Sequence, residues 1–273
     1  MQNNAVVILV GPSCSGKSFL SQKLMKKELI GEAVSTTTRN PRNGEVDGIH
    51  YHFVKDAEFE KKKKNGEFIE TIEFSDKKYG ITADEFIKLF EKGVTPLVVA
   101  EPNGVHQVIN YCNKAGWTPV SVFINVPLKV AISRFTERML ADLNNDKNQT
   151  VIDYYAGRIT DAVLIESSWK KMLKYNHIYP VSDGDECADN IADEIMLNVS
   201  SLNQGVKTDW YTDVAENKIK FPPELPSGFR DKIKENISVA INAFCDGDKR
   251  PLLGEILKIV NREKTRSPEE LEC

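Results

Sequence analysis

The residues with the clearest chemical potential are eight consecutive positions, 11–18, with the sequence Gly-Pro-Ser-Cys-Ser-Gly-Lys-Ser. They follow the apolar run Ala5–Val10 and fit the pattern G-x-x-x-x-G-K-S/T. In this context a buried strand ends, a tight loop turns, and a helix starts at about Lys17. Backbone N–H groups and the positive end of the helix dipole then converge on one point. The pattern predicts a site for a nucleoside triphosphate; a Gly- and Ser-rich turn that binds nothing is the plainer alternative.

The side chains of this phosphate loop have separable predicted roles. Lys17 can neutralise the β- and γ-phosphates of ATP, and the Ser18 hydroxyl can bind the Mg²⁺ that accompanies them. The predicted ATP contacts are Gly11, Ser13, Cys14, Ser15, Gly16, Lys17, Ser18 and Phe19.

Composition limits the classes of protein that this chain can belong to. Of its 273 residues, 28% are charged and 41% hydrophobic, as in an ordinary soluble protein with one large domain or two smaller ones. A net charge of −4 argues against a nucleic-acid-coating protein, which needs a basic face. The five cysteines form no C-x-x-C pair, and the longest apolar run near the N-terminus has only six residues. We therefore expect a cytoplasmic protein without a disulfide framework and without a membrane association.

Apolar, β-branched runs alternate with helical patterns along most of the chain. The predicted buried strands are residues 5–10, 95–100, 119–125 and 177–181. The predicted helices are residues 18–28, 104–115, 128–140 and 153–174. This alternation predicts an α/β fold of the P-loop NTPase type, a parallel sheet with helices on both faces.

Two regions depart from that alternation. Residues 35–90 contain turn signals and short mixed strands, such as 50–54 and 67–73, and are predicted to form a small α/β insertion. Prolines in residues 201–227 indicate a linker, and residues 228–273 carry two amphipathic helical patterns. A pair of helices this small does not fold well alone, so we expect it to pack on the rest of the chain or on another subunit.

The segment 35–53 identifies the reaction more closely than the phosphate loop does. It contains Thr-Thr-Arg-Asn-Pro-Arg-Asn-Gly-Glu, followed by Gly48, Tyr51 and Phe53, and the pattern continues through residues 67–70 and 79–80. Here the chain resembles the guanylate kinase family, whose members carry a near-identical stretch. The resemblance covers about residues 5–197 and implies a kinase domain over 1–200. It also implies that the insertion binds the nucleoside monophosphate and that residues 138–158 form a lid.

The resemblance implies a role for several arginines. Phosphoryl transfer brings two polyanions together, so that catalysis depends on charge neutralisation and in-line positioning. Arg39, Arg42 and Tyr51 resemble the clamp on the acceptor phosphate, which Tyr79 also binds. Lid arginines close over the transferred group, and the predicted catalytic set is Lys17, Arg39, Arg134, Arg138 and Arg158.

Selection of the base depends on Glu70. A carboxylate accepts two hydrogen bonds, and guanine offers two adjacent donors that adenine and the pyrimidines lack. In the family, Ser35 also faces guanine, and Glu101 keeps an acid at a second base-recognising position. The sequence therefore predicts GMP or dGMP as the acceptor.

The chain departs from the family pattern at several positions. Ile81 stands where a Ser or Thr usually helps to recognise the base, and Val99 replaces an acid near the Mg²⁺ shell. Ser182, the remaining predicted ATP contact, replaces a common adenine-binding Asn, and Cys14 replaces a glycine or small residue. The lid is long and rich in Asn and Asp, which favours mobility and a larger substrate.

Three functional hypotheses remain open at this stage. The leading one is an ATP- and Mg²⁺-dependent kinase for GMP or dGMP. The second is a kinase for another or a modified nucleoside monophosphate. The third is a non-catalytic protein-binding scaffold, although such domains tend to lose the loop lysine and lid arginines. The C-terminal helices could add a homo-oligomer contact or a protein partner to any of these.

Overall fold

A computed structural model describes residues 4–27, 29–41, 44–74, 77–143, 148–181, 185–206, 208, 218–221, 224–246 and 251–264. Its strands are β1 Ala5–Val10, β2 Ile30–Glu32, β3 Thr36–Thr37, β4 His52–Phe53, β5 Phe68–Phe74, β6 Lys77–Thr82, β7 Thr95–Val99, β8 Thr118–Asn125 and β9 His177–Pro180. Its helices are α1 Lys17–Met25, α2 Asp56–Lys64, α3 Ala83–Glu91, α4 Pro102–Ala115, α5 Leu128–Leu143, α6 Gln149–Leu164, α7 Trp169–Met172, α8 Asp185–Asn203, α9 Phe229–Cys245 and α10 Leu252–Lys264. A 3₁₀ turn, Glu166–Ser168, lies between α6 and α7.

The chain divides into two compact units. The first, here called the sheet unit, comprises Met1–Val10, Gly16–Ile124 and Leu173–Ile219. The second, the helical unit, comprises Gly11–Ser15, Asn125–Met172 and Lys220–Cys273. These two units do not coincide with the boundaries predicted for the kinase domain, lid, linker and extension. Those boundaries therefore remain predictions.

The sheet unit contains a central sheet with the strand order β2-β7-β1-β8-β9. Strand β1 pairs in parallel with β7 and β8, and β2 pairs in parallel with β7. All six residues of β1 are buried, as expected for a central strand covered on both faces. The predicted α/β fold with a parallel sheet is confirmed, and β1 has the predicted bounds.

A second sheet in this unit has the order β4-β3-β6-β5. Strands β3 and β4 are parallel, whereas β6 runs antiparallel to both β3 and β5. It occupies the region in which the sequence predicted short mixed strands. The antiparallel pairing of β5 with β6 places Glu70, the predicted base-recognising residue, opposite Ile81.

The helical unit has its own apolar core, formed by α5, α6, α9 and α10. Helix α9 contributes Ile233, Ile237 and Ile241, each 0% exposed. Helix α6 contributes Ile152 and Ile159, also 0% exposed. The Arg230 guanidinium of α9 donates to both carboxylate oxygens of Asp161 on α6, at 2.9 and 3.1 Å. The two amphipathic patterns predicted after residue 228 thus form α9 and α10, whose apolar faces are buried within the chain itself.

The predicted helix 153–174 is wrong in its bounds. Helix α6 begins at Gln149, because the side chain of Asn148 accepts hydrogen bonds from the Thr150 and Val151 N–H groups and caps it. It ends at Leu164, before the 3₁₀ turn and the short α7. Most of the proposed lid, residues 138–158, therefore lies in α5 and α6. No helix among the described residues is long and apolar enough to cross a lipid bilayer.

Candidate functional site: the phosphate loop and its supports

The phosphate loop joins β1, which ends at Val10, to α1, which begins at Lys17 as predicted. Gly16 precedes the helix with a φ of 95°, a left-handed conformation that glycine adopts without steric cost. The first turn of α1 contains no acidic residue, so no side chain of that turn neutralises the positive helix end. Lys17 is half-buried, whereas Ser18 and Phe19 are exposed. This backbone arrangement is typical of a binding site for a phosphate group.

Cys14 has a φ of 60°, the one left-handed value among the described residues other than glycine. A side chain in this conformation costs about 1 kcal/mol or more, because its Cβ approaches the following carbonyl oxygen. The side chain of Cys14 packs against the core of the helical unit. The left-handed φ makes a cysteine an unusual choice at this position, and the packing of its side chain offsets part of the cost.

Two side chains of the helical unit hold Ser13. The Glu166 carboxylate accepts the Ser13 N–H at 2.5 Å and the Ser13 hydroxyl at 2.8 Å. The Arg158 guanidinium donates to the Ser13 hydroxyl oxygen and lies 3.7 Å from the Glu166 carboxylate. The structure therefore brings predicted catalytic residue Arg158 to predicted ATP contact Ser13. Sequence reasoning missed Glu166, which no local motif marks as a partner of the loop.

The two predicted arginines of α5 differ in their surroundings. Arg134 donates to the Cys14 carbonyl oxygen at 2.9 Å. Arg138, one helical turn later, is exposed, and its charge opposes the rise in the pKa of Tyr155 that burial and the Asp142 hydrogen bond cause. Arg134 thus supports the loop backbone, whereas Arg138 extends into solvent on the same helix.

In the sheet unit, the structure brings together three residues of the predicted acceptor clamp. Arg39 lies with its guanidinium carbon 5.3 Å from the Tyr51 ring centroid, and the Tyr51 and Tyr79 rings are 6.1 Å apart. Arg39 also forms two 2.9 Å hydrogen bonds with Glu45. These hydrogen bonds, with a further one to Tyr79, raise the pKa of Arg39. Glu45 belongs to the motif of residues 35–53, but its role as the partner of Arg39 was not predicted.

Glu70, the predicted base-recognising residue, is a buried carboxylate that is 8% exposed. Burial, followed by the nearby charge of Glu101, raises its pKa to about 7. A Cβ built on Gly104 would lie 3.2 Å from a Glu70 carboxylate oxygen, so the carboxylate sits directly against the first turn of α4. Ile81 faces Glu70 across the strand pair, because opposed residues of an antiparallel pair share a face. The structure therefore places two predicted acceptor residues, Glu70 and Glu101, near each other, with Glu70 buried.

The other predicted residues lie as follows. Ser35 is half-buried, and its backbone carbonyl accepts the His52 N–H at 2.9 Å. Ser15 is 1% exposed, and its hydroxyl has no hydrogen-bond partner among the described residues. Arg42 and Ser182 lie outside the described residues.

The described side chains near the phosphate loop offer few ligands for Mg²⁺. Among the described residues no group of three or more His, Cys, Asp or Glu side chains is arranged to hold a metal. Val99, at the carboxyl end of β7, offers no ligand and is 36% exposed. The donor set fits a Mg²⁺ held mainly by nucleotide phosphates and water, with the Ser18 hydroxyl as the protein ligand.

The sequence is similar to those of curated guanylate kinases. A curated guanylate kinase of Mycoplasmopsis pulmonis is 34% identical over 45% of this chain and 64% of its own length. Those of Clostridioides difficile and Bartonella henselae are 35% and 38% identical, over 46% and 48% of this chain and 59% and 58% of their own lengths. The chain thus spans about three fifths of the curated relatives it matches.

A solved structure has a similar fold. The crystal structure of a guanylate kinase from Anaplasma phagocytophilum superposes with a TM-score of 0.53 and 24% identity, covering 79% of this chain and 94% of that one. At this identity the likeness establishes the fold alone. The guanylate kinase family model, however, matches residues 3–174, well over half of the sequence. The chain therefore belongs to the guanylate kinase family.

Proposed function

We propose that the chain is a nucleoside monophosphate kinase that transfers the γ-phosphoryl group of ATP to GMP or dGMP. The observation that carries the proposal is the buried Glu70 carboxylate beside Glu101, in the unit that also gathers Arg39, Tyr51 and Tyr79. Carboxylates recognise the paired donors of guanine, and the arginine and tyrosines suit the phosphate of the same acceptor.

The acceptor phosphate would bind at Arg39. Two hydrogen bonds with Glu45, one with the Asn40 carbonyl and one with Tyr79 fix the plane of the guanidinium and use only part of its N–H donors. A side chain that is already oriented loses less entropy when the ligand arrives. Glu45 is thus proposed to orient Arg39, while the Tyr51 and Tyr79 hydroxyls complete the phosphate contacts.

The triphosphate would bind at the phosphate loop. Lys17 and the start of α1 supply positive charge, and Ser18 would hold Mg²⁺, which neutralises phosphate charge when bound. Arg134, Arg138 and Arg158 would stabilise the transferred phosphoryl group. In the transfer, an oxygen of the acceptor phosphate attacks the γ-phosphorus as the bond to the β-bridging oxygen breaks, and ADP leaves. We also propose that the kinase acts in the cytoplasm, the setting that the dispersed cysteines favour.

The test is a coupled assay of ADP release from Mg·ATP with each common ribo- and deoxynucleoside monophosphate. GMP and dGMP are expected to react at least about a hundredfold faster than the other acceptors at limiting concentration, because an unpaired buried carboxylate is costly. Lys17→Ala should lower kcat about a thousandfold or more, since it removes charge that opposes the phosphates. Its thermal unfolding should match that of the wild type.

Three results would contradict the proposal or part of it. Preference for a different base would support a kinase for another or a modified nucleotide, which the apolar Ile81 beside Glu70 favours. Absence of turnover with any acceptor, despite an intact fold, would support a protein-binding scaffold. Lys17→Ala with undiminished turnover would reject the assigned role of the loop.

A further inference from the structure

Glu166 is a buried carboxylate that neither the phosphate-loop motif nor the lid arginines account for. It opens the 3₁₀ turn after α6 and is 5% exposed. Its carboxylate accepts two hydrogen bonds from Ser13, at 2.5 and 2.8 Å, and lies 3.7 Å from Arg158. An apolar side chain of similar volume would fill the same space without the desolvation cost of a charge. Packing alone therefore does not explain a carboxylate here.

The loop conformation needs external support at this point. Cys14, directly after Ser13, has a left-handed φ of 60°. Strained backbone conformations persist only where the surrounding structure holds them. Glu166 fixes the N–H and hydroxyl of Ser13, and Arg134 fixes the Cys14 carbonyl at 2.9 Å. Two consecutive residues of the loop are thus held by side chains more than a hundred positions away, with separations of 153 and 120 residues.

We propose that Glu166 is a positioning residue that holds the phosphate loop in its ATP-binding conformation. This inference rests on the proposed function, because it assumes that the loop binds ATP. Glu166 acts through Ser13: by accepting its N–H and its hydroxyl, it fixes the residue that leads into the strained Cys14 before the nucleotide arrives. Arg158, which donates to the Ser13 hydroxyl, completes the network and is itself held by the Glu166 charge. A loop held in this way needs less reorganisation when the phosphates bind.

A carboxylate that competes with phosphate, instead of positioning the loop, predicts the opposite change in ATP affinity when it is removed. If the carboxylate occupied the place of a phosphate group, its removal would strengthen ATP binding. If it positions the loop, its removal weakens ATP binding. The direction of the change therefore separates the two roles.

The experiment measures the Kd of Mg·ATP by calorimetry on the full chain without acceptor, and the KM of each substrate in the coupled assay. Glu166→Gln keeps the size of the side chain but loses its charge. We expect the Kd and KM for ATP to rise about tenfold, the effect of weakening charge-assisted hydrogen bonds, with the KM for GMP unchanged. Ser13→Ala should raise the Kd less, because the N–H contact remains. In the Ser13→Ala background, Glu166→Gln should have a smaller effect than in the wild type, since the two residues act as a unit.

Thr160→Val is the matched control. Thr160 is 0% exposed and donates its hydroxyl to the Ala156 carbonyl at 2.7 Å, a contact within α6. It should lower thermal stability without changing the Kd for ATP. If Glu166→Gln behaves in the same way, Glu166 has a structural role only and the inference is rejected.

The other possible results of this experiment also support or reject the role of Glu166. A lower Kd for ATP in Glu166→Gln overturns the inference in favour of competition with phosphate. If that variant does not fold, Glu166→Asp decides, because it keeps the charge but shortens the reach to Ser13: a few-fold rise in the ATP Kd supports the inference, and an unchanged Kd rejects it. A wild type that binds ATP but phosphorylates no acceptor contradicts the proposed function, while the binding measurements still test Glu166.

Discussion

The acceptor cluster of the sheet unit and the phosphate-loop contacts of the helical unit differ in how far apart along the chain their partners lie. In the sheet unit, Arg39 pairs with Glu45, 6 residues later. In the helical unit, Arg134 binds the Cys14 carbonyl across 120 residues, and Arg158 binds Ser13 across 145. The acceptor cluster is therefore largely a local motif. The support of the phosphate loop exists only when distant helices pack.

The same contrast holds for the family resemblance. The match to the guanylate kinase family ends at residue 174, and the acceptor cluster lies well within it. The core of the helical unit, in contrast, combines α5 and α6 with α9 and α10, which follow the last matched residue. The C-terminal segment thus shares one core with the helices that carry Arg134 and Arg158. Three substitutions test how far this comparison holds.

The largest expected effect is on the shared core. Ile237→Ala in α9 should lower the free energy of unfolding by about 3 kcal/mol, through lost apolar burial and the cavity left behind. Denaturant unfolding measures this, and Ile159→Ala in α6 should cost a similar amount. Hydrogen exchange should show weaker protection in α5 and α6 in the Ile237→Ala protein.

The control for this prediction lies two residues away. Val239, on the same helix, is 62% exposed, and Val239→Ala should change the stability by less than about 0.5 kcal/mol. If Ile237→Ala left α5 and α6 fully protected, α9 would be a separate appendage and the comparison would fail.

The second effect concerns base recognition in the sheet unit. Glu70→Gln should lower kcat/KM for GMP about a hundredfold, because one of the two guanine donors then faces an amide donor. Acceptor activity with GMP should also fall in the wild type below pH 7, as Glu70, whose pKa is about 7, becomes protonated. Glu73→Gln, an exposed change on the same strand, is the control and should leave both properties unchanged.

Although Glu70→Gln should lower activity, it should raise the free energy of unfolding at high pH. The pKa of Glu70 is raised to about 7 from 4.5, so the folded state favours the protonated form. The wild type then loses stability as the pH rises from 4.5 through 7, by at most about 3 kcal/mol. The variant should lack this loss and be the more stable protein at pH 8. Equal pH profiles of unfolding in the two proteins would show that Glu70 is not buried as described.

The smallest effect is expected at Ile81, which faces Glu70 and is 3% exposed. Ile81→Thr adds a hydroxyl close to the carboxylate and should lower the KM for GMP a few-fold, the value of one added hydrogen bond. It should also cost about 1 to 2 kcal/mol of stability, because a buried apolar side chain is lost. A higher KM for GMP would indicate an acceptor that does not use this position.

Local sequence determined much of this protein. The apolar run at residues 5–10 forms a buried strand with the predicted bounds, and the Gly-Lys-Ser sequence placed the start of α1 at Lys17. These predictions succeeded because backbone preference, turn chemistry and short-range spacing fix such features within a few residues. The approach of Tyr79 to Tyr51 and Arg39 is different, because it depends on the pairing of β3 with β6, which sets Thr37 opposite Tyr79. The start of α6 was missed although its cap, Asn148, was visible, because the polar segment around it was attributed to a lid.

Only the tertiary structure decided the rest. No pattern in the sequence indicates that Glu166 meets Ser13, or that α9 and α10 complete a core with α5 and α6. An amphipathic helix specifies that one face must be buried, but not which surface buries it. Likewise, a buried carboxylate needs donors, and the chain position of those donors follows from packing alone. The burial that raises the pKa of Glu70 to about 7 has the same origin, since it depends on what surrounds the carboxylate and not on the residue type.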